Sequence, residues 1–471
     1  MRITWVQPED LLPHEIAASR DEGREVAAIA RRWAAAGGEL TPPVSGASAS
    51  PAPARLRALA TELLDAADAL PATGSADEPE DLAAVRASWP ATWSLPAGPA
   101  AYDRLHGAWL GRAVGCLLGK PVEKIPRHGI REILVATGRW PLRDWFTARG
   151  LPAEVAARWP WNRRSAPTSL AENIDGMPED DDLNFALLAL RVLETYGRDF
   201  TSADVAQAWL DWLPGGRVFT AERVAYRNLL LGLAPPATAR RHNPFREWIG
   251  AQIRTDVYGW VNAGRPDRAA ELAWRDATVS HVRAGVYGAI WVAAMAAAAA
   301  VAAAVDEVLD AGEAVLPPGS RFAATVREAR ALGAGTDDWE AVVDELYARH
   351  GHLHWVHVRN NAALVAAALA YGRGELERSI CAVVSGGWDT DSTGATVGAV
   401  TGALTGASGL PDRWVAPLRG RLASSIAGFD GIGFDELAAR TAALADAGTR
   451  AAPPAGPTTT AAGPATPGDA R

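Results

Sequence analysis

Two carboxylates, Asp389 and Asp391, stand two residues apart in the stretch SGGWDTDSTGAT, with glycines on both sides. Like charges this close repel, and the repulsion grows as water is excluded. Either the segment is open to solvent or something positive sits between the side chains. A second acidic run, Glu179 to Asp182 in MPEDDDLNFALLAL, opens an apolar helical repeat. Helix capping explains one acidic residue at such a place, at about 0.5–2 kcal/mol. Four in a row exceed what capping needs. Hard cations such as Mg²⁺ or Mn²⁺ take oxygen ligands of this kind, and ligands at helix ends can bridge two ions. Asp181, Asp182, Asp389 and Asp391 would supply the carboxylates and Ser392 a hydroxyl oxygen.

Other chemistries for these letters fare less well. As a calcium-binding EF-hand loop, DTDSTG starts correctly, but position twelve is Val400 where a bidentate Glu is required. As the D-x-D-x-T nucleophile motif of haloacid-dehalogenase-type phosphatases, Asp389, Asp391 and Thr393 match, yet only about eighty residues follow, too few for the α/β domain that motif opens. The segment HLHWVHVRNNAA brings His352, His354 and His357 close together, but 354 and 357 lack a nearby fourth zinc ligand. His354, His357 and Asn361, with His281 of RDATVSHVRAG, are candidates for hydrogen bonding a substrate; a polar helix entrance without a role is the alternative. Trp388 beside the aspartates suits stacking on a sugar or adenine ring, or serving as a lid over the ions.

The elements that must position these groups are helical. Glycines fall at 107, 111, 115 and 119 in HGAWLGRAVGCLLGKPVE and at 394, 398, 402 and 406 in TGATVGAVTGALTG. Spacing by four lays each set along one helix face. Eight helical glycines cost about 8 kcal/mol relative to alanine, which close packing must offset. Each ladder packs either on the other or on some third helix. Mutual antiparallel packing would bring Glu123, just past the first ladder, to the same end of the bundle as Asp389 and Asp391.

Apolar spacing of 3.6 residues recurs over Leu183 to Gly197 and Ala203 to Leu213, and alternating strand patterns are scarce. The expected fold is all-α, with at most a short strand or two. The uncharged run Ala284 to Val305 is long enough to span a bilayer, but it is mostly alanine and lacks aromatic belts, so a buried core helix is expected. Residues 1–95 read as a helical N-terminal extension, with helices near Pro13 to Ala36 and Ala54 to Leu70 around a Pro/Ser/Ala linker. Residues 96–450 form the main domain, and 451–471 a disordered tail.

A net charge of −9 argues against general nucleic-acid binding, and two cysteines, Cys116 and Cys381, exclude a disulfide scaffold. The N-terminus has no apolar signal region. A cytoplasmic monomer acting on a small-molecule or protein substrate, without nucleic acid or membrane, is the expectation.

With these segments in hand, the chain resembles the ADP-ribosylglycohydrolase family. That family's G-x-x-x-G-x-x-x-G-D-x-x-G-x-x-x-E pattern is similar to GAWLGRAVGCLLGKPVE, its T-D-D-T to DDDL (Asp180 to Leu183), and its G-G-D-x-D-T to GGWDTDS with Trp388 inserted. The resemblance implies an all-α fold, a compact multi-helix orthogonal bundle with a dinuclear metal cleft, and hydrolysis of the C1″ bond of ADP-ribosyl conjugates at two Mg²⁺ or Mn²⁺ ions. It also implies metal ligation by Asp180, Asp181, Asp182, Asp389, Asp391 and Ser392. Glu123 would touch a metal and assist at the sugar, and Asp182 and Asp391 would share in catalysis. Cys116, Leu183, Ser392 and Trp388 depart from the pattern and put substrate preference in doubt. A hydrolase of another N-ribosyl compound, or a non-catalytic binding protein, remains the alternative.

Overall fold

In the computed structural model, residues 2–44, 46–71, 76–96 and 98–449 are described, the last three without their side chains. The tail expected beyond 450 lies outside them. Helices account for nearly all regular structure, and the strands among the described residues are Arg421–Leu422 and Ile432–Gly433, paired antiparallel. The fold is all-α, as the spacing implies.

The two glycine ladders pack on each other. The first ladder helix, Tyr102–Gly119, runs antiparallel to the second, Thr390–Thr405. A Cβ added at Gly111 would overlap the carbonyl oxygen of Gly398, one at Gly115 that of Gly394, and one at Gly107 that of Gly402. The relation is reciprocal, so each glycine exists to admit the other helix's backbone. Both helices are almost wholly buried.

Around this pair lie the aspartate helix (Asp181–Tyr196) and the alanine helix (Arg283–Ala299). Every residue of the alanine helix is buried, and it stops at Ala299 instead of running to Val305. Residues 300–304 turn the chain before a new helix begins at Val305. Among the described residues no helix is long and apolar enough to cross a membrane.

In the extension, Ala54–Asp68 is helical as expected, but the first expected helix is two, Pro8–Asp21 and Ala27–Ala35. Pro8 takes the helix-start role that suits proline. Gly23, at φ +73°, makes the left-handed turn that separates the two. Trp5, Leu12 and Leu64 belong to the same continuous core as Trp248 and Val358 of the body. The extension is therefore packed onto the body along its length.

Candidate metal centre

Antiparallel ladders place the end of one beside the start of the other. Chain leaving the first ladder through Lys120–Val122 presents Glu123, and the second ladder helix starts with Asp389 at its N-cap and Asp391 in its first turn. Thr390 Oγ1 donates to the Gly119 carbonyl at 2.8 Å and pins the two ends together. The aspartate helix brings its own N-terminus to the same place, with Asp180 as N-cap accepting from the Asp182 amide at 2.9 Å.

The result is two adjoining triads. The ligand atoms of Glu123, Asp389 and Asp391 lie within 4.8 Å of one another, and so do those of Cys116, Asp180 and Asp182. Ser392 Oγ donates to Asp182 Oδ2 at 3.2 Å and links the two. Asp180, Asp182, Asp389, Asp391 and Ser392 are all buried, whereas Asp181 and Glu123 are half-buried. Asp182 Oδ1 is buried without a hydrogen-bond partner.

So many carboxylates out of water resist ionisation. Burial first, then the charges of Glu123 and Asp180, push Asp391 up to about 7. Burial and neighbouring carboxylates raise Asp181, Asp182 and Asp389 well above the ordinary range. Asp180 is the exception: burial acts to raise it, but the Lys120 ammonium beside it prevails and holds it low. A divalent cation among these oxygens would supply the missing positive charge and a partner for Asp182 Oδ1. All-oxygen donors fit a hard ion. Cys116 does not, because burial and the nearby aspartates push its thiol well up and keep it protonated.

Glu123 is held from two sides: Asn162 Nδ2 donates to Oε2, and Lys124 Nζ lies 3.1 Å from Oε1. Asn361 Oδ1 accepts the Asp389 amide at 3.1 Å, so this residue supports the centre through the backbone. Trp388 adopts φ 59°, and its ring stacks on Tyr347 at 4.3 Å and 12°. That face is therefore covered by protein.

The histidines lie elsewhere. His281 is buried against Ser280 Oγ at 2.8 Å, near Arg254 and Glu222. His354 stacks on Trp248 at 4.2 Å, and His357 sits with Asp21 and Glu247 beneath the extension. That last group also resembles a ligand triad, but Arg283 reaches Glu247 at 2.7 Å and Arg359 reaches Asp21 at 2.8 Å. Arginines thus already pair both carboxylates, although Glu247 Oε2 has no hydrogen-bond partner and lies 3.8 Å from Arg321.

Sequence reasoning missed Arg112, Lys120, Asn162 and Tyr347. Arg112 is fully buried in the first ladder helix, donates to the Asp182 carbonyl at 2.7 Å and pairs with Asp256 at 2.7 Å. A cation between two of the ladder glycines, Gly111 and Gly115, was its signal. Asn162 had none. An open depression of about 530 Å³, lined in part by Asn173, Met177, Glu179, Arg421 and Asp430, runs up to the residue before Asp180.

No curated protein matches the chain. Among solved structures, one titled "ADP-ribosylglycohydrolase-related protein complex" is 21% identical, covers 73% of this chain and 98% of its own, with a TM-score of 0.46. The profile described as ADP-ribosylglycohydrolase matches residues 97–451, a stretch that includes both ladders and all three acidic segments. The chain thus belongs to the ADP-ribosylglycohydrolase family and is a glycosidase-type hydrolase.

Proposed function

We propose that the protein cleaves the C1″ glycosidic bond of ADP-ribosylated proteins or small ADP-ribosyl conjugates, using two Mg²⁺ or Mn²⁺ ions held by the oxygen donors of this centre and not by Cys116. The observation that carries this reading is the meeting of Glu123, Asp182 and Asp391, from three distant segments, at one buried centre with an orphaned carboxylate oxygen. Asp180, Asp181, Asp182, Asp389, Asp391 and Ser392 would hold the ions, with Glu123 at their edge. The chemistry that divalent ions would supply there is neutralisation of the carboxylates, orientation of ribose hydroxyls and acidification of water.

The chain's own residues supply the rest. Cleaving C1″ builds positive character on the sugar and negative charge on the leaving atom. Glu123, half-buried and fixed by Asn162 and Lys124, is placed to take a proton from the attacking water or give one to the leaving group. Asp182, bonded to Ser392 beside Asp391, and Asp391 itself would stabilise the cationic sugar. Arg112 fixes the backbone of Asp182, and Asn361 that of Asp389.

The test is hydrolysis of ADP-ribosyl-arginine, ADP-ribosyl-serine and free ribosides, each with and without Mg²⁺ or Mn²⁺. Metal-dependent release of ADP-ribose from either conjugate is expected. Cleavage of ribosides alone would move the substrate to another N-ribosyl compound, and inactivity on all with intact metal binding would leave a binding protein.

A further inference from the structure

The extension lies outside the family match, yet its carboxylates reach into the body. Glu15 pairs with Arg246 at 2.7 Å, and Glu22 with Arg246 at 2.7 Å and Arg283 at 2.8 Å. Asp21 pairs with Arg359 at 2.8 Å and Arg321 at 3.1 Å. His14 packs edge-on against both Trp248 and His354, rings that stack on each other. Backbone hydrogen bonds then tie residues 247–249 to 356–358: Ile249 N donates to Val356 O at 3.0 Å, and Val358 N to Glu247 O at 3.2 Å.

The Asp21–Arg359 pair, the His14–His354 ring contact and the two backbone bonds meet on residues 354–361, the turn that runs into the start of the helix Val358–Gly372. Within it Asn361 Nδ2 donates to the Trp355 and His357 carbonyls at 2.8 and 2.9 Å. Its remaining polar atom, Oδ1, accepts the Asp389 amide. A continuous path of ion pair, ring contact and hydrogen bond thus runs from the first helix of the extension to the loop that carries Asp389 and Asp391.

We propose that the N-terminal extension is a positioning element for the metal centre: Asp21 and His14 hold the 354–361 turn, and Asn361 passes that hold to the Asp389 backbone. Its effect on ion affinity rests on the proposed metal reading, whereas its effect on the loop does not. Asp21 and Asn361 are positioning residues, since neither touches the reacting atoms.

The experiment compares full-length wild type, Asp21→Ala, Asp21→Asn, Asn361→Ala and the double variant Asp21→Ala/Asn361→Ala. Arg32→Ala, which breaks the exposed pair with Glu62 on the extension, serves as control. Amide hydrogen exchange of residues 386–392 is measured in metal-free protein, and Mn²⁺ affinity by calorimetry. Asp21→Ala and Asn361→Ala are each expected to speed exchange at 386–392 about fivefold and weaken Mn²⁺ binding about three- to tenfold, with the double variant little worse than either, as for coupled sites. Asp21→Asn, which keeps the shape, should give a smaller change in the same place, and Arg32→Ala none. Unchanged exchange at 386–392, a uniform rise over all segments, or additive effects in the double variant would overturn the inference. If the wild type binds no Mn²⁺, the metal reading fails, and the exchange result still decides this one.

Discussion

Gly398→Ala sets two effects of opposite sign against each other. Alanine is the better helix former by about 1 kcal/mol, so an isolated helix would gain. In the protein a Cβ at 398 would overlap the Gly111 carbonyl oxygen and stand 2.8 Å from its carbonyl carbon. The oxygen is the limiting contact: it would lie 2.0 Å from the Cβ, ordinary carbon–oxygen contact begins at about 3.2 Å, and the ladders must separate by roughly 1.2 Å at that rung. Backbone meets backbone there, and no flexible side chain can give way. Overpacking of this kind costs about 1–3 kcal/mol, and less the propensity gain of about 1 kcal/mol this leaves net destabilisation of about 0–2 kcal/mol, at the upper end here because backbone meets backbone. The melting temperature should fall by up to roughly 2 °C, since a chain of this length loses about 1 °C per kcal/mol. Glu123 and Asp389 sit at the ends of the two helices, and metal sites tolerate only about 0.2 Å of ligand displacement, so Mn²⁺ affinity should drop roughly tenfold. Thermal denaturation and calorimetry check both. A variant that melts higher than wild type with unchanged Mn²⁺ affinity would refute the close-packing argument, because propensity alone would then govern.

Three other expectations follow from the same contacts. Glu123→Gln should retain the fold and lose most turnover on ADP-ribosyl substrates; near-normal activity in a steady-state assay would remove Glu123 from the chemistry. Arg112→Met strips the buried Asp256 carboxylate of its partner and should destabilise by about 3–5 kcal/mol, visible as a lower melting temperature in metal-free protein. Burial lowers His14 to about 4 and His357 to about 3, below their ordinary 6.5. Because the fold favours their neutral forms, their contribution is complete above pH 6.5 and is lost as pH falls, by about 3 kcal/mol each at pH 4. The raised carboxylates of Asp181, Asp182, Asp389 and Asp391 act in the opposite sense over this range, so the check is the difference in stability between wild type and His14→Gln/His357→Gln, which should shrink as pH falls from 6.5 towards 4; a difference independent of pH would contradict the buried neutral histidines.

The sequence by itself determined the helical class, the two glycine ladders and the acidic segments, because each is a local pattern. A period of four fixes a helix face, and a carboxylate run at a helix start is visible without a partner. Only the tertiary structure decided that the ladders face each other, since a stripe of glycines specifies close approach but not to what. It also decided which polar residues gather at the centre. Asn361 supports Asp389 while His281, His354 and His357 lie among other partners, a distinction set by helix packing over hundreds of residues. Asn162 meets Glu123 across thirty-nine positions, and Asp21 meets Arg359 across 338. Pairings at that separation depend on where the chain returns, which no local spacing encodes.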